Sequence, residues 1–348
     1  MAARKTTKQR TSGTKTGRAP KGLLIHIGAP KTGSTALQNF LLTNEAPLAA
    51  KGICFLASGR TNISHNNLFN PLRGPDAAAI WSDIADEAAS HPESLSIMSS
   101  ENFFSPTIAA SVAQHMPESL RKTTRFIAYV RRQDAYLEAL YKQKTKNGRE
   151  HSLPLEFVKK HVEIGNYQTV LDAFADTVGD ENVILRRFER SAMKGGDVVA
   201  DFLGCLGLDA ADSSFVQPVH EANQSLSRAV TEQMGALARH SRLNVRELAR
   251  EMMRDPANAA PRRSGDVFTK DQRLEIMALF EASNAELARR YLKDDSSPFF
   301  DLQDLAPDMP DRYPDPEEEI ALYAEAQEKV AAAIGRITRR NPAKLFRG

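Results

Sequence analysis

The sequence predicts an α/β fold: a single domain on a central parallel sheet of about five strands, with a helical C-terminal extension. Three observations carry this. Apolar runs of four to six residues alternate with helical patterns over the first half of the chain. Beyond residue 195 the pattern is helical only. The length of 348 residues, with 41% hydrophobic and 26% charged, is ample for one large core.

Leu23-Leu24-Ile25-His26-Ile27 is the first strand, a continuous apolar run as expected where both sheet faces are covered. Ser34 to Leu42 follows as a helix. Ile53-Cys54-Phe55-Leu56, Leu95-Ser96-Ile97-Met98, Arg125 to Val130 and Asn182-Val183-Ile184-Leu185 are the further strands. Helical patterns fill 75–90, 107–118, 134–146, 154–164 and 167–178 between them. Helices are then expected over 195–206, 225–238, 243–253, 270–292 and 316–338. The last begins Glu317-Glu318-Glu319 and ends Arg336, Arg339, Arg340, matching the helix dipole. The organisation expected is a basic disordered leader over 1–21, one domain over 22–300, and an Asp/Pro-rich connection with an amphipathic helix over 301–348.

Charge and cysteine content exclude several classes. Residues 1–21 hold seven basic residues and no acid, while the whole chain is only +2, so the remainder is net −5. The leader suits a weak anion tether and lacks the apolar stretch of a secretory signal. No run reaches the ~18–20 apolar residues that span a bilayer, and a cytoplasmic location is expected. Two separated cysteines, Cys54 and Cys205, exclude a disulfide scaffold and a cysteine-rich zinc site. Nucleic-acid binding is not expected outside the leader, because the body is acidic and carries no recognised motif.

Gly28-Ala29-Pro30-Lys31-Thr32-Gly33-Ser34-Thr35 lies between the first strand and its helix, the context of a phosphate-binding loop. Glycines let backbone N–H groups close on an anion, and the helix N-terminus favours negative charge. The spacing is G-x-x-x-x-G-x-T, so the fold expected is P-loop NTPase-like. Ser34 stands where a nucleotide triphosphatase needs lysine, and Lys31 lies three positions earlier.

This stretch, His26 through Gln38, resembles the 5′-phosphosulfate loop of sulfotransferases that use 3′-phosphoadenosine 5′-phosphosulfate (PAPS) as donor. The resemblance covers roughly residues 22–300. It implies that Lys31 neutralises the leaving group as the S–O bond breaks. It implies that Pro30, Lys31, Thr32, Gly33, Ser34 and Thr35 hold the 5′-phosphate. No metal is expected. Ala128 through Gln143 resembles the second donor motif, in which Arg131 would hold the 3′-phosphate; the serine of that motif is here Ala139. Pro261-Arg262-Arg263-Ser264-Gly265 is a basic late loop, where Arg262 and Arg263 would supply what Ala139 lacks. The acceptor implied is a hydroxyl compound, a saccharide by analogy with bacterial members, and segment 58–92 would face it.

An attacking hydroxyl must lose a proton, so a base is needed near the loop. Glu101 closes the third strand, on the edge where parallel sheets carry their sites. His65 lies in the polar stretch Thr61-Asn62-Ile63-Ser64-His65-Asn66-Asn67, where an imidazole near its ordinary pKa is suited to the task. Both stay open as the base. His26, inside the first strand, reads as a hydrogen-bonded sheet-face residue, and Trp81 as helix packing. Two other readings are a P-loop nucleotide kinase or hydrolase, which needs magnesium, and a non-catalytic protein that kept this fold.

Overall fold

The computed structural model describes residues 22–217, 226–254, 267–293 and 298–346. The five expected strands are present: β1 Gly22–His26, β2 Ile53–Phe55, β3 Leu95–Ser99, β4 Thr124–Val130 and β5 Val183–Arg187. They form one parallel sheet in the order β2-β3-β1-β4-β5. β1 is the middle strand, which is why its run is apolar on both faces: Leu23, Leu24 and Ile25 are buried. His26 is level with Ser99 of β3 and Ile127 of β4. The order places the ends of β1, β3 and β4 side by side. That edge is the crevice where open α/β sheets carry ligands.

Helices cover both faces. On one face α1 (Ser34–Thr43), α2 (Glu45–Ala50) and α9 (Val198–Cys205) bury Leu37, Phe40, Leu48, Phe202 and Leu203 against Leu24, Ile97 and Tyr129. On the other, α3 (Ala77–Ser90), α4 (Pro106–His115), the short α5 (Glu118–Arg121) and α8 (Tyr167–Val178) bury Trp81, Ile108, Leu120, Leu171 and Phe174. Trp81 packs as expected and donates Nε1–H to Ser111 Oγ at 3.1 Å.

The spine of the remaining helices is α6 (Gln133–Lys146), which leaves the end of β4. It packs with α7 (Pro154–His161) and α12 (Lys270–Ala278) around Leu137, Tyr141, Phe157, Phe268 and Ile276. A separate apolar cluster joins α10 (Arg228–His240), α11 (Val245–Met253) and α14 (Pro316–Arg340) through Met234, Leu248, Met252 and Ala333. The C-terminal helix is thus packed on chain that precedes residue 300. Asp315 caps it by accepting from the Glu318 N–H at 2.8 Å.

The helix expected over 270–292 is not continuous. It divides into α12, α13 (Glu281–Leu287) and a wider turn at Ala288–Leu292. The break falls at Phe280, whose buried ring lies on Gly165; a Cβ at Gly165 would sit 2.5 Å from that ring.

Candidate functional site

The ladder of β1 runs past its last residue: Ile27 N–H donates to Ile127 O and Ala29 N–H to Tyr129 O, both at 2.9 Å. The chain then leaves the sheet and is tied back by Thr32 Oγ1, which donates to Ala29 O at 2.6 Å. Two residues of the loop are left-handed, Lys31 at φ 71° and Gly33 at φ 78°. Glycine adopts this freely; for lysine it costs roughly 1–2 kcal/mol. Such strain persists only where the surrounding structure fixes it. α1 begins without a side-chain cap and without an acid in its first turn. Its leading N–H groups therefore face the loop, ready for an anion.

Under the loop lies a buried polar chain. Gln38 Nε2 donates to Ser99 Oγ at 3.1 Å, and Ser99 Oγ lies 2.8 Å from His26 Nδ1. Ser99 Oγ thus joins the Gln38 amide to the His26 ring, and which of Oγ and Nδ1 donates between them follows from the imidazole tautomer. Burial pushes the His26 pKa down to about 4. Nε2 has no partner among the described residues and lies against Gly28, where a Cβ would be 2.6 Å away. Gly28 is glycine because the ring occupies that space.

Glu101 opens a 3-10 turn directly after β3 and is half-buried. Ser34 Oγ donates to its Oε2 at 2.8 Å, so the residue in the kinase-lysine position holds the carboxylate. Burial raises the Tyr136 phenol, and the Glu101 charge facing it adds to the rise. Arg131 sits at the end of β4, and its carbonyl accepts from Tyr167 Oη at 2.7 Å. Lys31, Ser34, Glu101 and Arg131 thus share one edge of the sheet.

Arg132 is committed to structure. It binds Asp134 at 2.8 Å and Asp304 at 2.5 Å, with a further bond to Asp301 O. Asp134 also takes Arg273 Nη1 at 2.8 Å, while Arg273 Nη2 binds Glu138. Burial pushes Asp134 up, but Arg132 and Arg273 outweigh it and hold the carboxyl below its ordinary value. These pairs lock α12 and the 301–305 turn onto the start of α6, beside Arg131.

His65 does not stand where a solvent-facing base would. It is fully buried, with Nε2 3.1 Å from Leu56 O and Nδ1 accepting from Ser99 N–H at 3.2 Å. Burial is the largest influence on it and brings its pKa to about 4, against the pull of its backbone partners. The polar sequence around it marks a loop, but the ring itself pins that loop to β2 and β3. Arg262 and Arg263 lie outside the described residues. Unforeseen were the Ser34–Glu101 bond and the His26–Ser99–Gln38 chain. The sequence signs were that Ser34 and Gln38 are four residues apart and share a helix face, and that His26 reads as a hydrogen-bonded sheet-face residue, which it is.

Among the described residues no group of three or more His, Cys, Asp or Glu is placed to hold a metal ion. No described helix is long and apolar enough to cross a membrane.

No family model matches the chain. An uncharacterized protein of Archaeoglobus fulgidus is 27% identical over 198 residues, 53% of this chain and 53% of that protein. The chain thus spans about half the length of that relative. Three solved structures to which it is similar are sulfotransferases. The enzyme from Alicyclobacillus acidocaldarius is 17% identical, with 63% of this chain and 94% of that one covered and a TM-score of 0.36. The sulfotransferase domain of the curacin biosynthetic pathway is 17% identical, covering 59% and 80%, TM-score 0.33. That of the Synechococcus PCC 7002 olefin synthase is 15% identical, covering 71% and 99%, TM-score 0.38.

Proposed function

We propose that the chain is a sulfotransferase that moves a sulfuryl group from PAPS to a hydroxyl of an acceptor, a carbohydrate, without a metal. The observation that carries this reading is the loop itself. Lysine is held in a strained left-handed conformation inside it, and serine occupies the kinase-lysine place and binds a carboxylate.

The residues divide the work by position. The uncapped N–H groups at Ser34 and Thr35, with the backbone of Pro30, Thr32 and Gly33, receive the donor's 5′-phosphate. The Thr32 hydroxyl is spent within the loop on Ala29 O, so Thr32 offers its N–H alone. Lys31 places its ammonium on the bridging oxygen, where charge grows as the S–O bond breaks. Arg131 takes the 3′-phosphate, and Arg262 and Arg263, which lie outside the described residues, are the candidates to bind it in place of the hydroxyl absent at Ala139. Glu101 is the base. The Ser34 hydroxyl fixes one of its oxygens and leaves the other for the acceptor proton. His65 is not assigned that role, because its ring faces backbone on both nitrogens.

The 58–92 segment is the acceptor side. Asn66 Oδ1 accepts from Ser100 Oγ at 2.8 Å, and Asn66 O accepts from Asn102 Nδ2 at 3.3 Å, so this segment is fastened on both sides of Glu101.

The test is Glu101→Gln, assayed with saturating PAPS and a saccharide acceptor. Glutamine keeps the bond to Ser34 and removes the base, so kcat should fall by about 10²–10⁴. Affinity for adenosine 3′,5′-bisphosphate, read by thermal shift, should be unchanged. Full turnover in the variant removes Glu101 as base. Absence of nucleotide binding in the wild type removes the sulfotransferase reading. ATP-dependent phosphoryl transfer that is abolished by a chelator would establish the kinase reading instead.

A further inference from the structure

The molecule carries a second concentration of positive charge, far from the loop. A cleft of about 370 Å³ lies between the C-terminal end of α6 and one face of α11. Lys146, Asn147, Arg246, Arg250, Met253 and Arg254 line it. The volume lies within the range of small-ligand sites. α6 is 14 residues long, so the cleft is about 20 Å from Arg131 along that helix.

Three features set this cleft apart from a solvated helix face. Arg246 and Arg250 are four residues apart on α11, and Arg254 is four further on. Like charges at that spacing repel. Arg246 also lies in the first turn of α11, the end at which the helix dipole disfavours a cation. Second, one local carboxylate is shared several ways: Glu247 serves Arg250 at 3.3 Å, while Glu251 is divided among Arg254 at 3.3 Å, Arg336 at 3.1 Å and Arg340 at 3.2 Å. Neither Lys146 nor Arg246 has a carboxylate partner among the described residues. Third, Lys146 is partly buried and its Nζ rests 3.6 Å from the Met253 sulfur. Burial lowers its pKa, an unfavourable position that an anion in the cleft would relieve. Arg250 and Arg254 are 55% and 63% exposed, so their guanidinium groups are not there to hold the core.

We propose that this cleft is a second anion site, which binds a small ligand through a sulfate- or phosphate-ester group. Guanidinium forks match the paired oxygens of a tetrahedral oxyanion, and the adjacent ammonium adds a point charge. The volume admits more than a bare ion, so the ester's carbon skeleton lies in the cleft as well. The inference does not depend on the reaction assigned to the loop.

The test is isothermal titration of the full chain with three probes: a disulfated disaccharide, fructose 1,6-bisphosphate and an unsulfated disaccharide. One ester probe should bind, the neutral sugar should not, and the tighter of the two esters identifies the source of the anion. Arg246→Gln/Arg250→Gln should weaken that binding at least tenfold, and Lys146→Met likewise. Arg246→Lys/Arg250→Lys, which keeps the charge, should retain most of it and shows that any loss is not misfolding. Lys31→Ala, in the loop, should leave it unchanged. The proposal fails if neither ester binds. It fails if the glutamine variant binds as well as the wild type, or if Lys31→Ala abolishes binding, which would place the probe at the loop.

Discussion

His65→Gln separates a structural histidine from a catalytic one through the pH dependence of stability. His65 and His26 are both fully buried, and burial lowers each to a pKa of about 4 from an ordinary 6.5. From about pH 7.5 upward both are essentially neutral in the folded and unfolded chain, so neither contributes much slope. Between pH 6.5 and 4 the unfolded chain takes up protons that the folded chain refuses, so stability falls as pH falls. At 1.36 kcal/mol per pH unit, each histidine removes about 3 kcal/mol by pH 4, and the two together about 6. That is comparable with the whole stability of an ordinary domain, about 5–15 kcal/mol. The assay is urea unfolding at pH 5.0, 5.5, 6.0, 6.5 and 7.5. Near pH 5.5 each histidine should add about 1 kcal/mol per pH unit to the slope, and His65→Gln should show that much less. Burial raises Glu189, which works in the opposite sense, but it is common to both proteins and cancels in the difference. Glutamine is able to keep both backbone contacts, to Leu56 O and Ser99 N–H. Identical slopes in the two proteins would refute the burial argument. A folded variant that loses 10²–10⁴ in turnover would restore His65 as the base.

Gly28→Ala adds a Cβ 2.6 Å from His26 Nε2 and 3.0 Å from Thr32 Oγ1, two side chains held in place by their bonds to Ser99 Oγ and Ala29 O. It should cost about 1–3 kcal/mol in urea unfolding and weaken adenosine 3′,5′-bisphosphate binding, since the loop must shift; unchanged binding would show that the loop is not held by this contact. Arg273→Met leaves Asp134 and Glu138 buried without their shared guanidinium. Breaking a buried pair in this way typically costs about 3–5 kcal/mol. A loss below about 1 kcal/mol by the same measurement would mean that Arg132, on Asp134, and Lys142, whose Nζ lies 3.4 Å from Glu138, suffice. Chelation with EDTA should leave sulfuryl transfer intact, and a lost activity restored by magnesium would contradict the metal-free reading.

The strands, their parallel arrangement and the loop after β1 were legible because each is local. An apolar run, a glycine-bounded turn and a helix start are written in consecutive residues. Glu101 was singled out because it follows a strand and Arg131 because its stretch resembles a donor motif, and each does lie just past a strand end. The three strand ends do meet, because the order β2-β3-β1-β4-β5 places β1 between β3 and β4.

What local pattern does not contain is which side chain a residue faces across the fold. His26 and His65 each stand one step from Ser99 of β3, 73 and 34 residues away in the chain. Nothing beside His65 in the sequence says that β3 will bury it. Arg131 and Arg132 are neighbours in sequence, yet Asp134 and Asp304 claim the second. The sequence by itself determined the five strands, most of the helices and the glycine-bounded loop after β1. Only the tertiary structure decided which polar groups remain at the crevice and which were taken into the scaffold. The reason is that burial and partnership are properties of the packed chain, and it is these that turn a titratable side chain into a base or a strut.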